Sequence, residues 1–152
     1  APSNSIRLQV INRFETVLNA IVAGDDYFFT PLKVAKKFLE HEDAKNGPLY
    51  MIFSEGEGQI EVTGHETYDE TFHISVNGVI FDRSDPVAKI EKALRDVRKA
   101  INDDSISSNA NTLGTMCIQV RIDDPPDLEY FEDWATFEQR FRVQISGNFG
   151  EL

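Results

Sequence analysis

Two segments, TMCIQVRI at residues 115–122 and ATFEQRFRVQIS at residues 135–146, decide how this chain folds. In the first, Met116, Ile118, Val120 and Ile122 alternate with Cys117, Gln119 and Arg121, the period of two expected of an antiparallel strand with one buried face. In the second, Phe137, Gln139, Phe141, Val143 and Ile145 share one side and Glu138, Arg140, Arg142 and Gln144 the other. Aromatic area thus turns inward while charge stays in water. Between them runs DDPPDLEYFEDW, residues 123–134, a long loop too acidic for a core and too aromatic for a plain linker. A loop of that composition is expected to meet a partner.

Outward from this pair, the amino-terminal third predicts an amphipathic helix over residues 5–23. Ile6, Val10, Phe14, Val17 and Ile21 stand at helical spacing, Ile11 and Leu18 widen the stripe, and Asn4 or Ser5 supplies the cap. Gly24 with Asp25 and Asp26 reads as a left-handed stop and turn. A short aromatic strand is expected at residues 27–30, resuming at 32–35, followed by the polar loop EHEDAKNGP at 40–48. Residues 49–53 form a continuous apolar strand, SEGEG at 54–58 is either a hairpin or a bulge, and Ile60 and Val62 open the next strand. Phe72, Ile74, Val76 and Ile80 alternate inward in a longer strand, with Asn77-Gly78 marking a turn or a bulge.

The second helix is written most plainly. Asp85 is its N-cap, Pro86 takes the first helical position, and Val87, Ile90, Leu94, Val97 and Ile101 form one stripe. Lys89, Glu91, Lys92, Arg95, Asp96, Arg98 and Lys99 read as its solvated face, and a polar loop is expected after Asn102. Strands joined by long connections point to one α+β domain over residues 1–152. Its sheet is mainly antiparallel, with two amphipathic helices packed on one face. The helix stripes are expected to cover Phe72, Ile74, Val120 and Phe141.

Composition narrows the function. Fifteen Lys and Arg against 26 Asp and Glu give a net charge of −11, which argues against a simple phosphate-gripping nucleic-acid binder. The single cysteine, Cys117, allows no internal disulfide and no Cys-rich zinc site. No cleavable apolar leader and no run long enough for a membrane span is read in the sequence, so a protein made in a cytoplasm is expected.

Catalytic signals are weak. His65 and His73, with Glu66, Asp69 and Glu70, offer metal-ligand types, but on a straight strand the two histidines stand roughly 26 Å apart, and His41 reads as a loop residue. Asp123, Asp124 and Asp127 are interrupted by Pro125 and Pro126, which favour an extended loop over a cation cage. GEGQIEVTG lacks the lysine of a phosphate-binding loop, and Ser54 and Ser146 lack the glycines of a nucleophile elbow. No enzyme, cofactor or metal is expected.

The order of elements, with MIFSEGEGQIEV at residues 51–62, DPVAKIEKALRDVRKAIND at 85–103 and the closing FRVQISG, resembles the tail terminator or tail completion proteins of long-tailed bacteriophages. The resemblance implies a structural minor tail protein of α+β fold that forms a hexameric ring and caps the finished tail tube. It further implies the head–tail joining surface, with the major tail tube protein and head–tail connector proteins as partners, DNA only in passage through the lumen, and no membrane. Acidic walls suit such a passage, since basic walls would hold phosphates. The expected interface residues are Glu55, Glu57, Asp123, Asp124, Tyr130, Phe131 and Trp134, on loops at 40–48, 54–58 and 123–134. The other reading is an acidic binding module that inhibits a host protein through its aromatic loop.

Overall fold

A computed structural model of the chain describes residues 4–40, 43–107, 117–122 and 124–148. Its elements are α1 (Ile6–Asn19), β1 (Lys33–Ala35), β2 (Leu49–Val62), β3 (Thr67–Phe81), α2 (Pro86–Ser107), β4 (Cys117–Ile122), β5 (Asp127–Tyr130) and β6 (Trp134–Asn148). The six strands form one sheet in the order β1-β2-β3-β6-β4, with β5 also on β6. Only the short β1 runs parallel to its neighbour; the other pairings are antiparallel, so the fold is α+β with a mostly antiparallel sheet.

The alternation in β3 and β6 sorts their side chains onto two faces. Phe72, Ile74, Val76 and Ile80 of β3 and Phe137, Phe141, Val143 and Ile145 of β6 line one face. Both helices cover it, through Val10, Phe14 and Leu18 of α1 and Ile90, Leu94, Val97 and Ile101 of α2. The Phe14 ring meets Phe141 edge-on, centroids 5.5 Å apart. Val120 packs against this core from its rim, while Ile122 is exposed. The opposite face holds a smaller apolar cluster of Ala44, Leu49, Met51 and Val79, with Phe81 and Trp134 against it. Two cores explain why residues 49–53 are apolar without alternation: Tyr50 and Ile52 enter the first core, and Leu49 and Met51 the second.

Several local expectations are corrected. Helix α1 ends at Asn19, its Ser5 cap accepting from the Leu8 N–H, and the C-cap is Ala20 in right-handed geometry. Gly24 lies beyond the helix and is not left-handed. Residues 27–30 form no strand, because the amides of Phe28 and Phe29 are committed elsewhere, as described below. SEGEG is a bulge within one continuous strand, its register shift falling between Ser54 and Gly58. Asn77-Gly78 is neither turn nor bulge; both residues pair in register with β2 and β6. The glycine is required for another reason: a Cβ at 78 would stand 2.0 Å from Cε1 of Phe137.

Helix α2 begins as read, the Asp85 carboxylate accepting from the Ala88 N–H, but continues past Asn102 to Ser107. Residues 123–134 are not simply a loop, since β5 pairs with β6 there and makes a hairpin. Residues 115 and 116 and His41 lie outside the described residues. No helix among the described residues is long and apolar enough to cross a membrane.

The link from β3 to α2 is tied by Asp82, whose carboxylate accepts from the Ser84 and Asp85 N–H groups and the Ser84 hydroxyl. These bonds, the one from Asp85 foremost, hold its pKa below the ordinary carboxylate value. Because the folded value is depressed, the stabilisation is complete above the unfolded pKa of about 4 and is lost as pH falls through the folded value. Asp82→Asn should therefore lower the urea midpoint at neutral pH, and the difference from the wild type should shrink in acid. In the core, Phe141→Ala and Leu94→Ala should each cost roughly 2–5 kcal/mol in chemical denaturation. Unchanged midpoints in both would refute the assigned faces.

Candidate functional site: an acidic aromatic hairpin and its supports

The aromatic residues singled out in sequence come together at one place. β5 and β6 pair from Asp127 opposite Glu138 to Tyr130 opposite Ala135, and the turn closes with the Phe131 N–H donating to the Trp134 carbonyl at 2.8 Å. Phe131 stacks flat on Trp134, centroids 3.8 Å apart and planes 7° from parallel. Trp134 leans on the smaller core, whereas Tyr130 is 47% and Phe131 41% exposed. The hairpin is moored to the body by the Asp82 N–H, which donates to the Asp133 carbonyl. Asp127, Glu129, Glu132 and Asp133 flank the rings in the sequence, and no Lys or Arg occurs between Arg121 and Arg140. Rigidly held aromatic area within a carboxylate rim is a composition suited to binding a cationic or apolar surface.

Glu55 and Asp124, also expected at an interface, are brought together on a different site. Arg140 grips Glu55 through Nε and Nη2 at 2.8 and 2.7 Å and Asp124 through Nη1 at 2.8 Å. The buried Ser75 hydroxyl bridges Glu55 and Glu138, 3.0 Å from each. This network ties β2, β3 and β6 across the sheet face away from the helices, and the Glu55 hydrogen bond holds the Arg140 pKa above its usual value. Glu55 therefore sits in the bulged strand as a structural partner of Arg140, not at a free loop tip. Reversing its charge would disturb the sheet as well as any interface. Asp123 and the Glu57 side chain lie outside the described residues. The described part of the 40–48 loop covers the smaller core, with Ala44 fully buried and its carbonyl accepting from the Phe81 N–H.

Sequence reasoning missed Asp96 altogether. Assigned to the solvated face of α2, it is fully buried, and its carboxylate accepts from the N–H groups of Phe28 and Phe29 at 2.9–3.0 Å. A strand over residues 27–30 would need those donors for a ladder. Asp96 takes them instead and lays Tyr27, Phe28 and Phe29 along α2. There Lys99 lies over Tyr27, Lys92 and Arg95 lie over Phe28, and Lys89 lies over Phe29. The signal was present in the spacing: position 96 falls three after Ala93 and four before Ala100, on the buried arc.

Gln139, also fully buried, accepts from Arg98 Nε and Nη2 at 2.9 and 2.7 Å and donates to the carbonyls of Asp124 and Arg140. Among the described residues no buried side-chain nitrogen or oxygen lacks a hydrogen-bond partner. Among them, too, no group of three His, Cys, Asp or Glu side chains is placed to hold a metal ion.

No protein-family model matches the chain, and no curated protein does.

Asp96→Ala should leave the Phe28 and Phe29 donors unpaired beneath the 27–29 segment. It should cost about 2 kcal/mol or more by denaturation and raise proteolysis between residues 22 and 32. A variant as stable and as resistant as the wild type would show that those amides find other partners.

Proposed function

We propose that this chain is a ring subunit that closes the tail tube of a long-tailed bacteriophage and forms part of the surface joining tail to head. The observation that carries this reading is the β5–β6 hairpin. It presents exposed Tyr130 and Phe131 in an acidic rim at the end of a sheet whose strands fix its position. The folded chain runs helix, three strands, helix and three strands, so β5 stands between the two closing strands on whose order the resemblance to tail terminators rests.

A ring built from identical subunits needs two unlike surfaces on each copy, so that every contact is heterologous. The sheet offers unlike edges. Among the described residues β1 covers β2 only over Leu49–Met51, leaving the rest of β2 with β3 alone, while β4 and β5 share the far edge beside β6. The net charge of −11 suits a collar through which DNA passes without being held. In this reading the protein is made in the host cytoplasm and ends in the virion tail, with further copies of itself, the major tail tube protein and the head–tail connector as partners. It performs no catalysis and carries no cofactor.

Deleting the gene should give heads and tails that fail to unite, with tails of irregular or excessive length in electron micrographs. Tyr130→Ala with Phe131→Ala should reduce joined particles at least about tenfold while the isolated subunit stays folded, as expected for truncated interface anchors. Normal virions from the deletion strain would overturn the reading. Tight binding of the purified monomer to one host protein would put an inhibitory module in its place.

A further inference from the structure

The face of α2 opposite the acidic hairpin in charge carries an open cleft of about 440 Å3, lined by Leu94, Arg95, Arg98, Lys99 and Asn102 of α2 and by Ile122 of β4. That volume lies in the range of clefts that take a side chain or small ligand, roughly 300–1,000 Å3. Its polarity is unusual for this chain. Three cations line it against two carboxylates, Glu91 and Asp103; Asp103 is already paired with Lys99 at 2.6 Å and Arg95 stands 3.4 Å from the buried Asp96, which leaves Arg98 as the cation of the cleft whose charge no carboxylate offsets among the described residues. Arg98 is half-buried, and its two hydrogen bonds go to the neutral amide of Gln139, so its charge is solvated there but not neutralised. Apolar surface adjoins the cations: Ile122 is 41% exposed, and Phe28, over which Arg95 lies, is 50% exposed.

An uncompensated guanidinium beside exposed apolar area is a receptor for carboxylates carried next to aromatic rings. The chain bears that ligand itself. The segment from Asp127 to Asp133 carries four carboxylates and the exposed rings of Tyr130 and Phe131 with no cation among them, and none of these residues lines the cleft of its own copy. We infer that the β5–β6 hairpin of one copy docks into the α2–β4 cleft of the next, its carboxylates meeting Arg95, Arg98 and Lys99 and its exposed rings covering Phe28 and Ile122. This inference rests on the ring reading above and names its subunit contact. The two surfaces are different, so the contact is heterologous and propagates from copy to copy until it closes. A second copy fits better than a nucleic acid, whose phosphates would be repelled by the acidic remainder of the chain.

The test is a charge swap on the full chain, read by native mass spectrometry and sedimentation. Glu129→Lys with Glu132→Lys, both exposed positions, should weaken self-association at least about tenfold, and so should Arg95→Glu with Lys99→Glu. A chain carrying all four changes should recover association to within about threefold, because the pairs are restored with reversed sign. Should the cleft reversal unfold the chain, the hairpin reversal alone carries the test, through its loss of association and through the reduced salt dependence of what remains. Wild-type assembly that survives both reversals overturns this contact and leaves the ring reading standing. A wild type that stays monomeric at all concentrations, tail tubes included, overturns both. Rescue by the fourfold variant together with failure to act on tail tubes keeps the contact and removes the tail function.

Discussion

The register between β3 and β6 is the constraint from which the remaining structure follows. The two strands pair without a shift from Thr67 opposite Asn148 to Phe81 opposite Trp134. A slip of β6 by one residue would turn Phe137, Phe141 and Val143 away from the helices and bring Glu138 and Arg140 against them. The pairing is pinned where Gly78 lies beneath the Phe137 ring, since no other residue leaves room there. The irregularities needed to curve the sheet are placed elsewhere, in β2 between Ser54 and Gly58 and in β4 between Cys117 and Gln119. The same ladder ends beside the acidic hairpin, so the placement of Phe131 and Trp134 is inherited from the core.

What could be read in the sequence was whatever burial imposes with a period. The alternation in β6, the inward residues of β3 and the cap of α2 with its stripe from Ile90 to Ile101 appear in the fold because each element buries one face against a common core, whereas Val87, read into the same stripe, is exposed in the first turn. Where a tertiary group outcompetes a local preference, the reading failed. Aromatic residues 27–29 favour a strand, but the Asp96 carboxylate takes their amides; Asn-Gly favours a turn, but Gly78 was selected by Phe137. The same division holds at the surface. Tyr130, Phe131 and Trp134 were legible because exposed rings among carboxylates stand out by composition alone. The Glu55–Arg140–Asp124 network and the setting of Arg98 join residues from distant strands and have no local signature.

An acidic chain has few cations to spend, and their distribution separates two kinds of surface. Arg7 is committed to Glu70, Arg13 to Asp104 and Arg140 to Glu55 and Asp124, so these contribute to cohesion within the subunit. Along α2, Lys89, Lys92, Arg95 and Lys99 are spread over the rings of Tyr27, Phe28 and Phe29; Arg95 and Lys99 also meet the carboxylates of Asp96 and Asp103, whereas Lys89 and Lys92 are held by the rings without cancelling their charge. The molecule is thereby polarised, with a cationic helix flank and an acidic hairpin, although its net charge is strongly negative.

The inequality of the two cores sets how the subunit yields to force or to solvent. Among the described residues the face beneath the helices buries twenty-two apolar side chains in one cluster, and the opposite face only four. The smaller cluster is roofed by irregular backbone around Ala44 and Leu39, and Phe38 beside it is 83% exposed although its ring touches Phe53. Openings of that roof sacrifice little buried area, so the amides of the 43–48 segment are expected to exchange with solvent by local excursions and those of β3 and β6 only on global unfolding. One side of the sheet is thus a stiff plate and the other a compliant cover, and a subunit so divided can adjust its outer surface without losing the frame that positions it.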